Sequence, residues 1–352
     1  MLKKSIISVL SMIMIWTSAV NVFAHDGWTQ TSAPIVETGE VSFVEILMGN
    51  HSNEHRSYRI DGQFSTNSSI YVSTPAGEKV DITSTRFYTG EPEATNKVNN
   101  GFIASFVAES AGTYIVTAES DGVRASNGVS SRTLRNAKSF VAAADLPIIA
   151  RVRSLSGFSK LVNSDRAELI PMFNPASVVS GQNVSVRLFL KGKPLADIAV
   201  SMVRRSINTE PQTVKTDAQG VASFKIGPSD YYLFRAKPTT TEAEEGKYTG
   251  INYETTMTVR AVNAKNNFVS SANLTPQIIV NGVQVTPNRL TIQKGIAMVD
   301  SGFIKKHIFK NHKNNGISSF AIRQTAENLG ANVEFLQGIN GYAPTIVIHT
   351  KK

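Results

Sequence analysis

Six histidines carry the chemistry this sequence offers, because it holds no cysteine and therefore no thiolate ligand or nucleophile. Imidazole is then the one strong neutral ligand available to a borderline metal ion. His25, His51 and His55 fall within 31 consecutive residues. His51 and His55 sit four apart in Met48-Gly-Asn-His-Ser-Asn-Glu-His-Arg. In a helical turn such residues are neighbours; in an extended strand they stand about 13 Å apart, too far to share an ion. The turn-forming residues around them favour the compact geometry, and the competing reading is two solvated loop side chains. Together, His25, His51 and His55 would fill three positions of a Ni(II), Co(II) or Cu(II) site, with Glu54 or Asp26 as carboxylate support. His307 and His312 lie among Lys305, Lys306, Lys310 and Lys313, whose charge opposes a cation, so they read as part of a solvated basic loop. His349, near the C-terminal end, reads as structural or exposed.

His25 gains a further capability from what precedes it. Met1-Leu-Lys-Lys4 is basic, Ile6 to Val20 is apolar apart from four hydroxyl residues, and Val22-Phe-Ala24 has the small or apolar side chains that signal peptidase requires. The apolar stretch is shorter than the ~20 residues of a membrane span. Cleavage after Ala24 is therefore expected, leaving a protein exported to a periplasm or the cell exterior, with no transmembrane segment in the mature chain. His25 would then be residue 1. A free amine, with a pKa near ~7.7, and a ring nitrogen on the same residue can close a chelate ring that an internal histidine cannot. The competing reading is a terminus that is histidine by accident and disordered.

About 328 residues would remain, enough for two or three domains of ~100–150 residues. Loss of Lys3 and Lys4 lowers the formal net charge from +9 to about +7. These charges are scattered, with no basic stripe interleaved with aromatics, so nucleic acid is not an expected partner. An anionic cell envelope is.

The elements that must position the histidines read as β throughout most of the chain. Period-2 segments such as Val41-Ser-Phe-Val-Glu-Ile-Leu, Ser69-Ile-Tyr-Val-Ser and Thr113-Tyr-Ile-Val-Thr-Ala are separated by Gly, Asn, Ser and Pro clusters. This pattern predicts an antiparallel, Ig-like sandwich over residues 25–143, with Tyr114 packed at its corner and its hydroxyl on a backbone partner. Residues 144–168 read as a connector. A second sandwich is predicted over 169–262, where Thr216-Asp-Ala-Gln-Gly needs Gly220 at positive φ and Asp230-Tyr-Tyr-Leu-Phe-Arg-Ala matches Thr113–Ala118. A polar linker follows at 263–276. Residues 277–352 read as a small α+β domain, with an Asn281-Gly282 hairpin and a helix from about Ile317 that puts Ile322, Ala326 and Leu329 on one face before Gly330. The fold class expected is mainly β: two tandem Ig-like or transthyretin-like sandwiches, then the α+β domain.

Signatures of the common enzyme classes are missing: there is no Gly-x-Ser-x-Gly, His-Glu-x-x-His, dinucleotide fingerprint or phosphate loop. An N-terminal histidine paired with a second one is similar to the arrangement in copper oxygenases acting on polysaccharides, but no flat aromatic binding face can be identified here. A non-enzymatic protein is expected.

Ala24-His25-Asp26-Gly-Trp28 resembles the mature start of the exported family known as nickel-uptake substrate-specific components. Gly49-Asn50-His51 resembles that family's Gly-His element with one Asn inserted. Pro194-Leu195, the strand at Val200, Thr216-Asp217 to Gly220 with Phe224, and Tyr231-Tyr232 to Ala236 resemble its second sandwich, so the likeness spans roughly residues 1–262. Residues 277–350 resemble the small domain named after the copper amine oxidase N-terminus, through Val280-Asn-Gly-Val and Ala326-Glu327-Asn-Leu329-Gly330-Ala331-Asn-Val333. The first resemblance implies a helper that binds Ni(II) or Co(II) through His25 and His51 and passes it to a membrane transporter. His55 rests on the local reading alone. The second implies attachment to the cell envelope. The alternative is a structural or adhesive Ig-like protein whose histidines are incidental.

Overall fold

The computed structural model describes residues 26–49, 68–89, 101–126, 128–206, 211–263, 275–293, 295–310, 319–337 and 343–351. The first part of the chain supplies β1 (Asp26–Thr31), β2 (Ile35–Glu37), β3 (Val41–Gly49), β4 (Ser68–Ser73), β5 (Lys79–Asp81), β6 (Phe87–Tyr88), β7 (Phe102–Val107), β8 (Gly112–Ser126) and β9 (Val129–Ala144). The second supplies β10 (Ala167–Pro171), β11 (Asn183–Leu190), β12 (Lys193–Pro194), β13 (Ala199–Arg204), β14 (Gln212–Lys215), β15 (Val221–Lys225), β16 (Asp230–Ala236), β17 (Thr239–Thr240) and β18 (Ile251–Ala261). A four-residue helix, α1 (Ile149–Val152), lies between them.

Mainly-β architecture and two Ig-like sandwiches in tandem are as the alternation predicts, and the two share a sheet. β9 pairs in parallel with β18, Arg132–Lys138 against Ile251–Met257. Among the described residues this joins both halves into one ten-stranded sheet with the path β14-β13-β16-β18-β9-β8-β4-β5. One outer sheet, β1-β3-β7-β6, faces the first half; another, formed by β10, β11, β12 and β15, faces the second.

Because side chains alternate along a strand, a strand in the shared sheet serves two cores. On β9, Ala137, Val141 and Ala143 enter the first core with Trp28, Val44, Ile46, Met48 and Tyr114. Phe140, Ala142 and Ala144 enter the second, with Leu169, Val186, Leu188, Phe234 and Met257. β9 is accordingly buried on both faces over most of its length, as a strand between two layers must be.

Local chemistry fixes the turns. Gly220 has φ +77°, and a Cβ there would meet the Leu188 carbonyl oxygen at 2.7 Å. Asp217 Oδ1 closes the same turn by accepting from Gln219 N at 2.9 Å and Val221 N at 2.8 Å. The predicted corner is present twice. Tyr114 donates to the Ser110 carbonyl at 2.8 Å and Tyr232 to the Pro228 carbonyl at 2.6 Å.

The third part holds β19 (Gln277–Val280), β20 (Val283–Val285), β21 (Leu290–Gln293), β22 (Ile296–Asp300), α2 (Ser301–His307), β23 (Ser319–Ala321), α3 (Ile322–Asn328), β24 (Asn332–Leu336) and β25 (Thr345–His349). Asn281 and Gly282 form the expected turn with φ +50° and +83°. The expected helix is shorter than its pattern: Ser319–Ala321 pair with β22, and the helix begins only at Ile322. Ile322 and Ala326 are buried, Leu329 packs against them, and Gly330 has φ +83° beyond the helix end. This part rests on the connector through Leu146, Ile279 and Val347, and through Arg151, which binds both Asp145 and Glu334.

Candidate functional site

Of the proposed ligands, His25, His51, Glu54 and His55 lie outside the described residues; Asp26 lies within them. It opens β1, the strand at one end of the first outer sheet, which is buried along its whole length. β1 runs antiparallel to β3 from Thr31↔Val44 to Asp26↔Gly49. Its far side is tied to the second sandwich: the Gly27 carbonyl accepts from Thr256 Oγ1 at 2.7 Å, and the Ser32 carbonyl from Arg260 Nη1 at 2.8 Å. Trp28, only 2% exposed, anchors the strand in the first core.

The Asp26 carboxylate is 1% exposed and holds two cations from the second sandwich, Arg235 and, at 2.7 Å, Lys237. Those cations are 24% and 34% exposed. A carboxylate so engaged fixes the start of β1, and it is turned toward positive charge that a metal ion would have to compete with. Sequence reasoning placed Asp26 beside the metal because it adjoins His25; it had no means of finding Arg235 or Lys237, more than 200 residues away.

Of the remaining histidines, His307 and His349 belong to the third part of the chain. His307 ends α2 with its ring 5.0 Å from that of Phe303, and burial, aided by Lys306, pushes its pKa down. His349 ends β25, opposite Asn332. His312 lies outside the described residues. Among the described residues no group of three or more His, Asp or Glu side chains could hold a metal ion. No helix among them is long and apolar enough to cross a membrane.

A second polar cluster, unforeseen from the sequence, lies inside the seam. Lys138 of β9 and Glu168 of β10 form an ion pair with both side chains 1% exposed. The Glu168 carboxylate also accepts from Val162 N at 2.8 Å and Asn163 N at 3.0 Å. Burial drives the Lys138 pKa down, against the opposing pull of Glu168 and then Glu119. Beside the pair, Arg166 reaches Glu119 at 3.8 Å and Asn136 donates to the Ala167 carbonyl at 3.2 Å, while on the other face of the shared sheet Arg135 binds Glu254 at 2.5 Å. The one available signal was Lys138 standing directly before the small and apolar stretch Ser139 to Ala144. A cavity of about 10 Å³ between the layers, lined by Gln30, Phe140, Tyr231 and Arg260 among others, has room for no ligand larger than water.

The chain belongs to a family described as a domain of unknown function, DUF4198, which matches residues 22–240. No curated protein matches it. Solved structures similar to it include the D0-D1 domain of intimin, at 12% identity and TM-score 0.19, covering 68% of this chain and all of that one. An Escherichia coli adhesin, FdeC, matches at 11% identity and TM-score 0.18, covering 65% of this chain and 63% of that one. A two-domain fibronectin type III segment of chicken tenascin matches at 12% identity and TM-score 0.18, covering 65% and 98%. Superpositions at these scores have no bearing on function; the sandwich assignment stands on the ladders and cores described above.

Proposed function

We propose that this chain is an exported, non-enzymatic metal-binding protein that handles Ni(II) or Co(II), with Cu(II) as a further cargo, at the cell envelope. One observation supports the reading above others: the β1–β3 ladder ends with Asp26 opposite Gly49. In the sequence His25 immediately precedes the first residue of that rung, and His51 follows the second by two, with Glu54 and His55 after it. In this reading cleavage after Ala24 frees the His25 amine, and Asp26 is a positioning residue, held by Arg235 and Lys237, rather than a ligand. A site at the end of a ladder is open to exchange, as a carrier that serves a membrane transporter requires. The terminal α+β part would provide attachment to the envelope.

The test is calorimetric titration of Ni(II), Co(II) and Cu(II) into protein that begins at His25, and into protein with one residue added before it. Loss of affinity on the addition is expected; equal affinity would remove His25 from the site.

A second reading is favoured by a different face. Val41 and Phe43 of β3, Val107 of β7 and Phe87 of β6 share the outer face of the first sheet and are 46%, 53%, 46% and 49% exposed. Contiguous apolar exposure of that kind marks a contact surface, as expected of an interaction or adhesive module. That reading predicts metal affinity no greater than that of isolated surface histidines.

A further inference from the structure

We propose that Lys138 and Glu168 are a site of self-modification, in which the lysine Nζ and the glutamate Cδ condense to an amide that joins the two sandwiches covalently. The structure holds the two groups in contact, each 1% exposed and on strands from different halves of the molecule. The pairing of a sealed amine with a sealed carboxyl group is what condensation needs. Sealing Lys138 from water weakens its preference for the charged form, so passing its proton to the carboxylate it touches costs less than in solvent. The neutral amine is the nucleophile.

The step balances without any co-reactant. The ammonium proton passes to one Glu168 oxygen, giving an amine and a carboxylic acid. Nζ attacks Cδ, the bond from Cδ to the protonated oxygen breaks, and that oxygen leaves as water with one proton from the nitrogen. A secondary amide, Nζ–Cδ, remains. Three features around the pair suit the tetrahedral intermediate. The Val162 and Asn163 amides already donate to the two Glu168 oxygens, at 2.8 and 3.0 Å, and would hold the charge that develops on oxygen. Glu119, opposite Asn136 on the neighbouring strand and so on the Lys138 face of the shared sheet, is the carboxylate that would carry the proton from nitrogen to the departing oxygen. Burial among Asn136, Arg166 and the β10 backbone keeps out the water that would reverse the reaction.

The reading is independent of any metal site, and intact-protein mass spectrometry tests it on the purified chain once its terminal residues have been determined. The expected mass is that of the sequence less one water, with a proteolytic fragment in which the Lys138 and Glu168 peptides are joined; Lys138→Arg is expected to restore the full sequence mass. Mass measurement does not require the variant to fold. A native mass equal to that of the sequence, with both peptides recovered separately, overturns the proposal. So does a deficit of one ammonia with Lys138 joined to Asn136 or Asn163, or a deficit of one water located elsewhere in the chain.

Discussion

Two of the buried carboxylates that fasten the sandwiches to each other do so reciprocally. Asp26 of the first sandwich takes Arg235 and Lys237 from the second, while Glu168 of the second takes Lys138 from the first. Both carboxylates are 1% exposed; the difference lies in their partners. Lys138 is sealed, whereas Arg235 and Lys237 remain a quarter to a third exposed. The same pairing of charges is thus dry in one place and wet in the other. In the dry seam water cannot substitute for a lost cation or carboxylate, and among the described residues Glu168 has only the Val162 and Asn163 amides besides Lys138. At the wet corner solvent and salt share the load, and positions can be adjusted or exchanged. A rigid weld and an adaptable corner follow from one physical variable.

The largest effect should come from breaking the dry pair. Lys138→Met leaves Glu168 buried with only the Val162 and Asn163 amides to hold its charge, at a cost of about 3–5 kcal/mol, read as a lower urea midpoint. Lys138→Met combined with Glu168→Leu sharpens the comparison. For a simple ion pair the double replacement should recover most of that loss, since well-packed apolar groups serve as well as buried charges. If the amide forms, the double variant should stay about 3 kcal/mol below the native protein, because the constraint on the unfolded chain between residues 138 and 168 is lost too.

At the wet corner Asp26→Asn removes the charge that Arg235 and Lys237 share, and about 1.5–3 kcal/mol is expected. The distinguishing measurement is salt. The gap between native and Asp26→Asn stability should narrow between low salt and about 1 M, where screening reaches within about 3 Å; the Lys138→Met gap should not. Equal salt sensitivity at the two places would erase the distinction between them.

How far these places were legible in the sequence follows from the range of the interactions. Turn chemistry is local, so Gly220, the Asn281-Gly282 hairpin and the helix end at Gly330 could be read from a few residues each. The corner at Tyr114 was equally legible, its acceptor being only four residues away. The parallel joint of β9 to β18 was not, since it pairs Arg132 with Ile251 across more than a hundred residues and leaves no local mark. Nor were the seam charges: a lysine in a β segment looks like a residue facing solvent, and only the second layer over β9 makes Lys138 buried. Asp26 was noticed for its neighbour His25, while its true partners lie on β16 and just beyond it. Of the proposed ligands it alone lies among the described residues, so the histidine cluster stays a matter for titration.

The two corners offer a smaller contrast within the same frame. Tyr114→Phe and Tyr232→Phe should each cost about 1 kcal/mol, the net worth of one hydrogen bond, by urea midpoint. Tyr114 should be the more costly, because its hydroxyl also accepts from Ser110 N at 3.0 Å and the Phe variant leaves that donor unmet. A corner carried by ring packing alone would show no loss at either position.

The smallest effect belongs to the contact between the sandwiches and the terminal part, where Arg151 bridges Asp145 and Glu334. Both acids are well exposed, 52% and 42%, so Arg151→Ala should cost no more than about 1 kcal/mol. Its sign with pH is nonetheless definite. The hydrogen bond from Arg151 holds the Asp145 carboxyl below its ordinary range, so the folded state binds that proton less readily than the unfolded chain does. The bridge therefore contributes fully above the unfolded value of about 3.9 and is lost as pH falls through the lower, folded one. Hydrogen exchange on β19 and β25 is the measurement: protection there should fall in acid in the native protein, and Arg151→Ala should reduce it at neutral pH and flatten that dependence. If acid loosened these strands equally in both proteins, the apolar contact of Leu146 with Ile279 and Val347 would be holding the terminal part without help from charge.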